Sequence, residues 1–160
     1  MKAVPEGKPV SASRIELTQV MLPEDTNVAG NVHGGTLMKL ADNAAFVVAS
    51  RHSRSNVVTA SVDRLDFLSP VYIGDLVLLK ARLNWVGKAS MEIGIEIHAE
   101  DLFSGQERHV ANALLTFVAL DHNGRPKKVP DLILETEEDR ILFEQAARRA
   151  EERRRLRKRQ

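Results

Sequence analysis

The chain contains no cysteine among its 160 residues. That excludes disulfides, thiolate-ligated metal centres and cysteine nucleophiles together. Aromatic residues are scarce at 4%, with a single Trp and a single Tyr. Charge of one sign is also lacking: 23 Lys and Arg stand against 22 Asp and Glu, for a formal net charge of +1. No strong field therefore draws the whole molecule to polyanions or to a membrane surface. No apolar run approaches the roughly 20 residues of a spanning helix. The first residues, MKAVPEGKPVSASR, lack the apolar centre of a secretion signal. What is present is a hydrophobic fraction of 43%, enough for a real core in one domain of this size. The expectation is a cytoplasmic protein that neither enters membranes nor depends on nucleic acid.

The balanced charge hides an uneven distribution. Residues 148–160 hold eight bases and two acids, while Glu135, Glu137, Glu138 and Asp139 form an acidic cluster upstream. Acids at the start and bases at the end suit a helix macrodipole, and Glu144–Arg148 and Glu151–Arg155 have i,i+4 spacing. Residues 131–160 are thus expected as a charged C-terminal helix with a solvated, frayed end. The competing reading is an RNA-binding or docking tail, against which stands the absence of any aromatic in residues 148–160 to stack on a base.

Pro5, Gly7 and Pro9 mark residues 1–12 as a flexible lead. RIELTQV alternates as a strand, and the loop MLPEDTNVAGNVHGG follows, with Asn, His and Gly concentrated in it. Loops of that length are usually functional. From Gly35 to about Ser50 the pattern is helical. Leu37, Leu40, Ala41, Ala44 and Val48 form one apolar face, and Met38, Ala45, Phe46 and Ala49 nearly complete the circle, which predicts a buried helix. Asp42 falls on the second of these stripes. Beyond it the period becomes two: VVTASVDRLDF, LVLLKARLNWV, ASMEIGIEIHAE and ERHVANALLTFVAL read as antiparallel strands. Met91, Ile93, Ile95 and Ile97 fall on one side of ASMEIGIEIHAE, and Glu92, Glu96, His98 and Glu100 on the other. The class is α+β, with an antiparallel sheet that must bury its apolar face on the single early helix.

Several chemistries fail on spacing. Gly30 and Gly35 are spaced as in a phosphate loop, but Thr36-Leu37 stands where Lys-Ser/Thr is required. There is no GxSxG, HExxH or GxGxxG, and the five histidines (33, 52, 98, 109 and 122) show no ligand spacing, so no metal is expected. Asn27, His33-Gly34-Gly35 and Asp42 remain. Paired glycines at a helix start expose N–H groups that can hold an oxyanion, and a carboxylate on an apolar stripe can serve as a base. The plain alternative makes the glycines a turn and pairs Asp42 with Lys39 at i,i+3.

NVAGNVHGGTLMKLADNAA, followed by VTASVDRLDFLSPVYIGD and GKASMEIGIEI, closely resembles the hot-dog-fold acyl-CoA thioesterases of the cytosolic acyl-CoA hydrolase type. The resemblance spans residues 13–130 and implies a sheet wrapped around a central helix, with acyl-CoA as substrate and no cofactor. It places the catalytic aspartate on Asp42, the characteristic asparagine on Asn27 and the oxyanion-binding amide on Gly35. Coenzyme A contacts fall on Ala60-Ser61-Val62 and Lys88-Ala89-Ser90. By charge alone, Arg125 and Lys127, with Lys128, are candidates for the coenzyme's phosphates. Asp42 would either take a proton from water or attack the carbonyl itself. A non-catalytic acyl-CoA-binding regulator is the alternative, against which stand the intact Asn27 and Asp42. A hot-dog dehydratase would need an Asp-x₄-His pair, which the chain does not contain.

Gly35 and Asp42, seven residues apart on one helix, are separated by about 10.5 Å along its axis. A base and an oxyanion donor must both lie within roughly 3 Å of the reacting group. Two copies packed antiparallel about a two-fold would set Gly35 of one chain opposite Asp42 of the other. The resemblance implies the same homodimer, assembled further into a tetramer or a hexamer.

Overall fold

The computed structural model describes residues 6–160. Its elements are β1 (Lys8–Pro9), β2 (Ile15–Val20), α1 (Gly34–Ser53), β3 (Asn56–Phe67), β4 (Leu76–Val86), β5 (Ser90–Glu100), β6 (Glu107–Leu120), β7 (Leu132–Ile133) and α2 (Glu137–Lys158). Five of the strands form one antiparallel sheet in the order β2-β4-β5-β6-β3. The strict alternation in β5 puts Met91, Ile93, Ile95 and Ile97 into the core with Leu79, Leu83, Leu115 and Phe117 from its neighbours. Against them α1 presents Leu37, Ala41, Ala44, Ala45, Val48 and Ala49. The alanines let the helix lie close to the sheet. This is the sheet-around-helix arrangement expected from the sequence.

β3 is an edge strand, and it is irregular. Its register against β6 shifts between Thr59 and Ser61 and again between Val62 and Arg64. Two bulges in one edge strand bend it and increase its twist. Helix α1 ends where Arg54 adopts a left-handed conformation, φ 50°, as its C-cap.

Three expectations need correction. The lead over residues 1–12 is not loose from Lys8 onward. β1 pairs in parallel with β7, and Val10 in the following turn is only 1% exposed; residues 1–5 lie outside the described part. Met38 and Phe46, expected to help bury α1 all round, are 42% and 47% exposed. The sheet covers one side of the helix and leaves the Asp42 side open in a single chain. Third, the C-terminal helix, expected to be solvated, packs on the sheet: α2 lies across its outer face, and Glu92 on the polar side of β5 is fully buried beneath it. Arg149 grips its carboxylate with two bonds of 2.9 and 2.8 Å, and Asn84 donates to it at 3.0 Å. Arg82 reaches Asp139 at 2.8 Å, and Arg153 lies 3.9 Å from both Glu92 and Asp63. The basic C-terminal segment is therefore helical through Lys158 and docked on the sheet as far as Arg153, with residues 154–158 exposed beyond it.

Candidate active site

The long loop before α1 is held by its own asparagine. The Asn27 side-chain oxygen accepts from the Ala29 and Asn31 N–H groups at 2.9 and 3.2 Å, and the Asn27 N–H donates to the Asn31 carbonyl at 2.8 Å. Two backbone donors on one oxygen fix which way the amide points. Its NH₂ remains exposed and without a protein acceptor among the described residues. Any role for Asn27 toward a ligand is therefore that of a donor.

His33 caps α1 through its carbonyl, which accepts from the N–H groups of Thr36 and Leu37. The N–H groups of Gly34 and Gly35 are left without acceptors among the described residues, as the first turn of a helix leaves them. The two glycines differ in their surroundings. A Cβ on Gly34 would press to 3.1 Å on Cζ of Phe67, whereas a Cβ on Gly35 would meet nothing within 4 Å. Open space above a free N–H at the positive end of a helix suits the approach of an oxyanion.

Asp42 lies two turns further on, half-buried, and does not pair with Lys39 among the described residues. Its Oδ1 accepts instead from the hydroxyl of Thr59 at 2.7 Å. The sequence alone does not single out Thr59. It pairs with inward-facing Phe117, so the period-two alternation of β3 already directs it at α1.

The candidate coenzyme contacts follow on the same strand. Ala60 is the extra residue of the first bulge, and Ser61 donates to Asp63 at 2.8 Å. Two strands away, Ser90 shares a row of the sheet with Val118 and Val58. Lys88 and Ala89 occupy the tight turn into β5, and Lys88 is exposed. The loop carrying Arg125 and Lys127 is tied to that turn, since the Val129 N–H donates to the Lys88 carbonyl and the Lys127 N–H to that of Ala119, both at 2.8 Å. One end of the sheet therefore gathers Asp42, Thr59, Ala60, Ser61, Val62, Lys88, Ala89, Ser90, Arg125 and Lys127. Asn27 and Gly35 stand apart, at the end of α1 that packs near Phe67.

A cavity of about 850 Å³ is on the other side of the sheet, between it and α2. Neither Asn27, Gly35 nor Asp42 lines it. Beside Asp42 the surface is open and apolar instead: Met38, Phe46 and Val62 are all exposed along α1 and the unpaired edge of β3. Among the described residues no cluster of His, Asp or Glu is arranged to hold a metal ion.

Residues 29–102 match the model of a family described as the thioesterase superfamily. The chain is 42% identical over 149 residues to an uncharacterized acyl-CoA thioester hydrolase of Bacillus subtilis, covering 93% of this chain and 87% of the relative. It is 36% identical to the cytosolic acyl coenzyme A thioester hydrolase of Mus musculus over 88% of its own length, and spans 38% of that larger protein. Among solved structures, an apo-hexameric acyl-CoA thioesterase superimposes with a TM-score of 0.90 at 37% identity, over 94% of this chain and 97% of the other. The acyl-CoA hydrolase of Staphylococcus aureus, solved with butyryl coenzyme A, coenzyme A and coenzyme A disulfide, gives a TM-score of 0.86 at 37% identity, over 94% and 92% of the two chains.

Proposed function

The chain belongs to the thioesterase superfamily, and we propose that it hydrolyses acyl-CoA thioesters, releasing a carboxylic acid and free coenzyme A, at sites shared between two subunits. The observation that carries the reading is a division of labour along α1. A free Gly35 N–H and the Asn27 NH₂ stand at one end, and a carboxylate held by Thr59 stands two turns away beside an open apolar face. Neither half is complete alone. An antiparallel partner joined along β3 and α1 covers Met38, Phe46 and Val62 and brings its own Gly35 to Asp42.

In that site the Gly35 N–H donates to the thioester carbonyl, whose oxygen gains charge as the tetrahedral intermediate forms. Asn27, donating through its NH₂, orients the attacking water. Asp42 takes a proton from that water as its oxygen bonds to the carbonyl carbon. The intermediate then collapses, the carbon–sulfur bond breaks with its electron pair on sulfur, and the proton held by Asp42 passes to the departing thiolate. Thr59 occupies Oδ1 and leaves Oδ2 to act as the base. No cofactor takes part; coenzyme A enters as half of the substrate. Its pyrophosphate is held by Lys88, Arg125 and Lys127, and the chain of its pantetheine runs past Ala60-Ser61-Val62 and Ala89-Ser90.

The hexameric state of the similar apo acyl-CoA thioesterase supports a trimer of such dimers. No helix among the described residues is long and apolar enough to cross a membrane, and a cytoplasmic place of action, as the name of the mouse relative states for that protein, belongs to the same proposal.

The test is release of free thiol from a chain-length series of acyl-CoAs by the wild type and by Asp42→Asn. Loss of a general base should lower kcat by ~10²–10⁴-fold. A single turnover in heavy-oxygen water should put the label in the carboxylic acid. Label retained on Asp42, with an unlabelled acid, would make Asp42 the nucleophile instead. A fully active Asp42→Asn enzyme would remove it from the mechanism.

A further inference from the structure

Anchoring of α2 divides its basic residues into those with a partner and those without. Arg149 and Arg153 turn into the sheet toward Glu92 and Asp63. Arg148 pairs with Glu144 and Arg155 with Glu151. Arg154 and Lys158 have no acidic partner among the described residues, although they stand four apart on one helix, where like charges repel. Both line a cleft of about 440 Å³ together with Trp85, Ala147, Ala150, Glu151 and Arg155. Its opposite wall is the indole of Trp85. That ring lies against Gly87, where a Cβ would come within 2.7 Å of its Cη2, and the two alanines leave room before it. The basic segment has no aromatic of its own, and β4 supplies one.

A flat ring for a base, and a guanidinium and an ammonium group one turn apart on the exposed helix beside it, are the parts of a nucleotide site. We propose that the cleft between Trp85 and α2 binds a nucleoside phosphate, with the base stacked on Trp85 and the phosphate held by Arg154 and Lys158. The cleft adjoins the turn that carries Lys88, only three residues beyond Trp85. Two sources share this chemistry: the phosphoadenosine end of the substrate's own coenzyme A, which rests on the function proposed above, and a free nucleotide.

The experiment uses the full-length chain and the variants Trp85→Leu and Arg154→Ala/Lys158→Ala. Arg148→Ala, already paired on another side of the helix, is the control. Adenosine 3′,5′-bisphosphate and ADP are titrated calorimetrically, and the KM is measured for an acyl-CoA and for the same acyl group on pantetheine, which lacks the nucleotide. Losing two phosphate contacts should weaken nucleotide binding about tenfold or more, one decade per 1.4 kcal/mol. If the occupant is the substrate's own nucleotide, the variants raise KM for acyl-CoA, leave kcat alone, and leave the pantetheine substrate untouched. If it is a free nucleotide, ADP binding falls while both KM values stay put. Wild-type protein that binds neither nucleotide at millimolar concentration, or variants that bind as well as the wild type, would overturn the proposal. A chain without hydrolase activity would defeat the functional reading, while the titration would still decide independently whether the cleft binds a nucleotide.

Discussion

Asn27 carries two jobs on one amide, and they can be separated. Its oxygen accepts two backbone N–H groups of its own loop, and its NH₂ is the part free to meet a ligand. Asn27→Asp keeps the acceptor and removes the donor, so the loop and the melting temperature should be retained while kcat falls by at least tenfold, about 1.4 kcal/mol of barrier. Asn27→Ala should lose the rate and the loop together, seen as a lower melting temperature. Equal activity in Asn27→Asp and wild type would reduce this residue to a structural one. Gly35 and Asp42 stand out in the sequence as candidates because their types are improbable where they stand, adjoining glycines opening a helix and a carboxylate on an apolar stripe, whereas Asn27, an ordinary loop residue, is picked out by the family resemblance. Thr59 is not, since a threonine in a strand is ordinary, and only the approach of α1 makes its hydroxyl a partner for Asp42.

Strands are read easily at the level of elements, because β5 alternates without a fault and its neighbours nearly so. The docking of α2 is hidden for a physical reason. A run of arginines looks solvated unless one knows that a glutamate on the sheet waits beneath it, and Glu92 sits on the polar side of its strand. Arg149, whose guanidinium this carboxylate holds, is pushed up from its ordinary value by the hydrogen bonds to Glu92, against the pull of burial. Removing one partner of a buried pair leaves a stranded charge and costs ~3–5 kcal/mol. Arg149→Met should therefore lower stability in urea by about 3 kcal/mol, the small end because Arg153 is near. Adding Glu92→Gln should recover most of the loss. Failure of the second change to recover anything would mean that packing, not charge, holds the helix.

At the far end of α1, His52 is fully buried, and its Nε2–H donates to the Pro130 carbonyl at 2.8 Å. Burial lowers its pKa below the ordinary 6.5, only partly opposed by the Pro130 bond, and the nearby Lys8 charge lowers it further. Unfolded chains then bind this proton more readily than folded ones. The fold keeps its full stability above about pH 6.5 and loses it progressively as pH falls toward the depressed folded value. Melting temperatures measured across that window should decline in the wild type and decline less in His52→Gln.

At the scale of the whole molecule, the proposed division of Gly35 from Asp42 makes activity a property of pairs. Asp42→Ala and Asn27→Ala chains, inactive separately, are co-refolded in equal amounts. Half of randomly assembled two-fold dimers are mixed, and each mixed dimer has one site with both defects and one with none, so about a quarter of sites should regain activity. No recovery among dimers shown to be mixed would place the whole site within one chain. The edge along which the pairing is proposed has its own meaning. An exposed strand is ordinarily an invitation to any other strand, and many proteins discourage such contact with charges or prolines. β3 carries a break in register after Thr59 and another after Val62, so a regular strand from a foreign protein cannot zip along it. A second copy, turned end for end, brings the same two kinks at matching places. In the proposed pairing the irregularity is a mark of self, admitting the sister chain and refusing the crowd of other sticky edges in a cell.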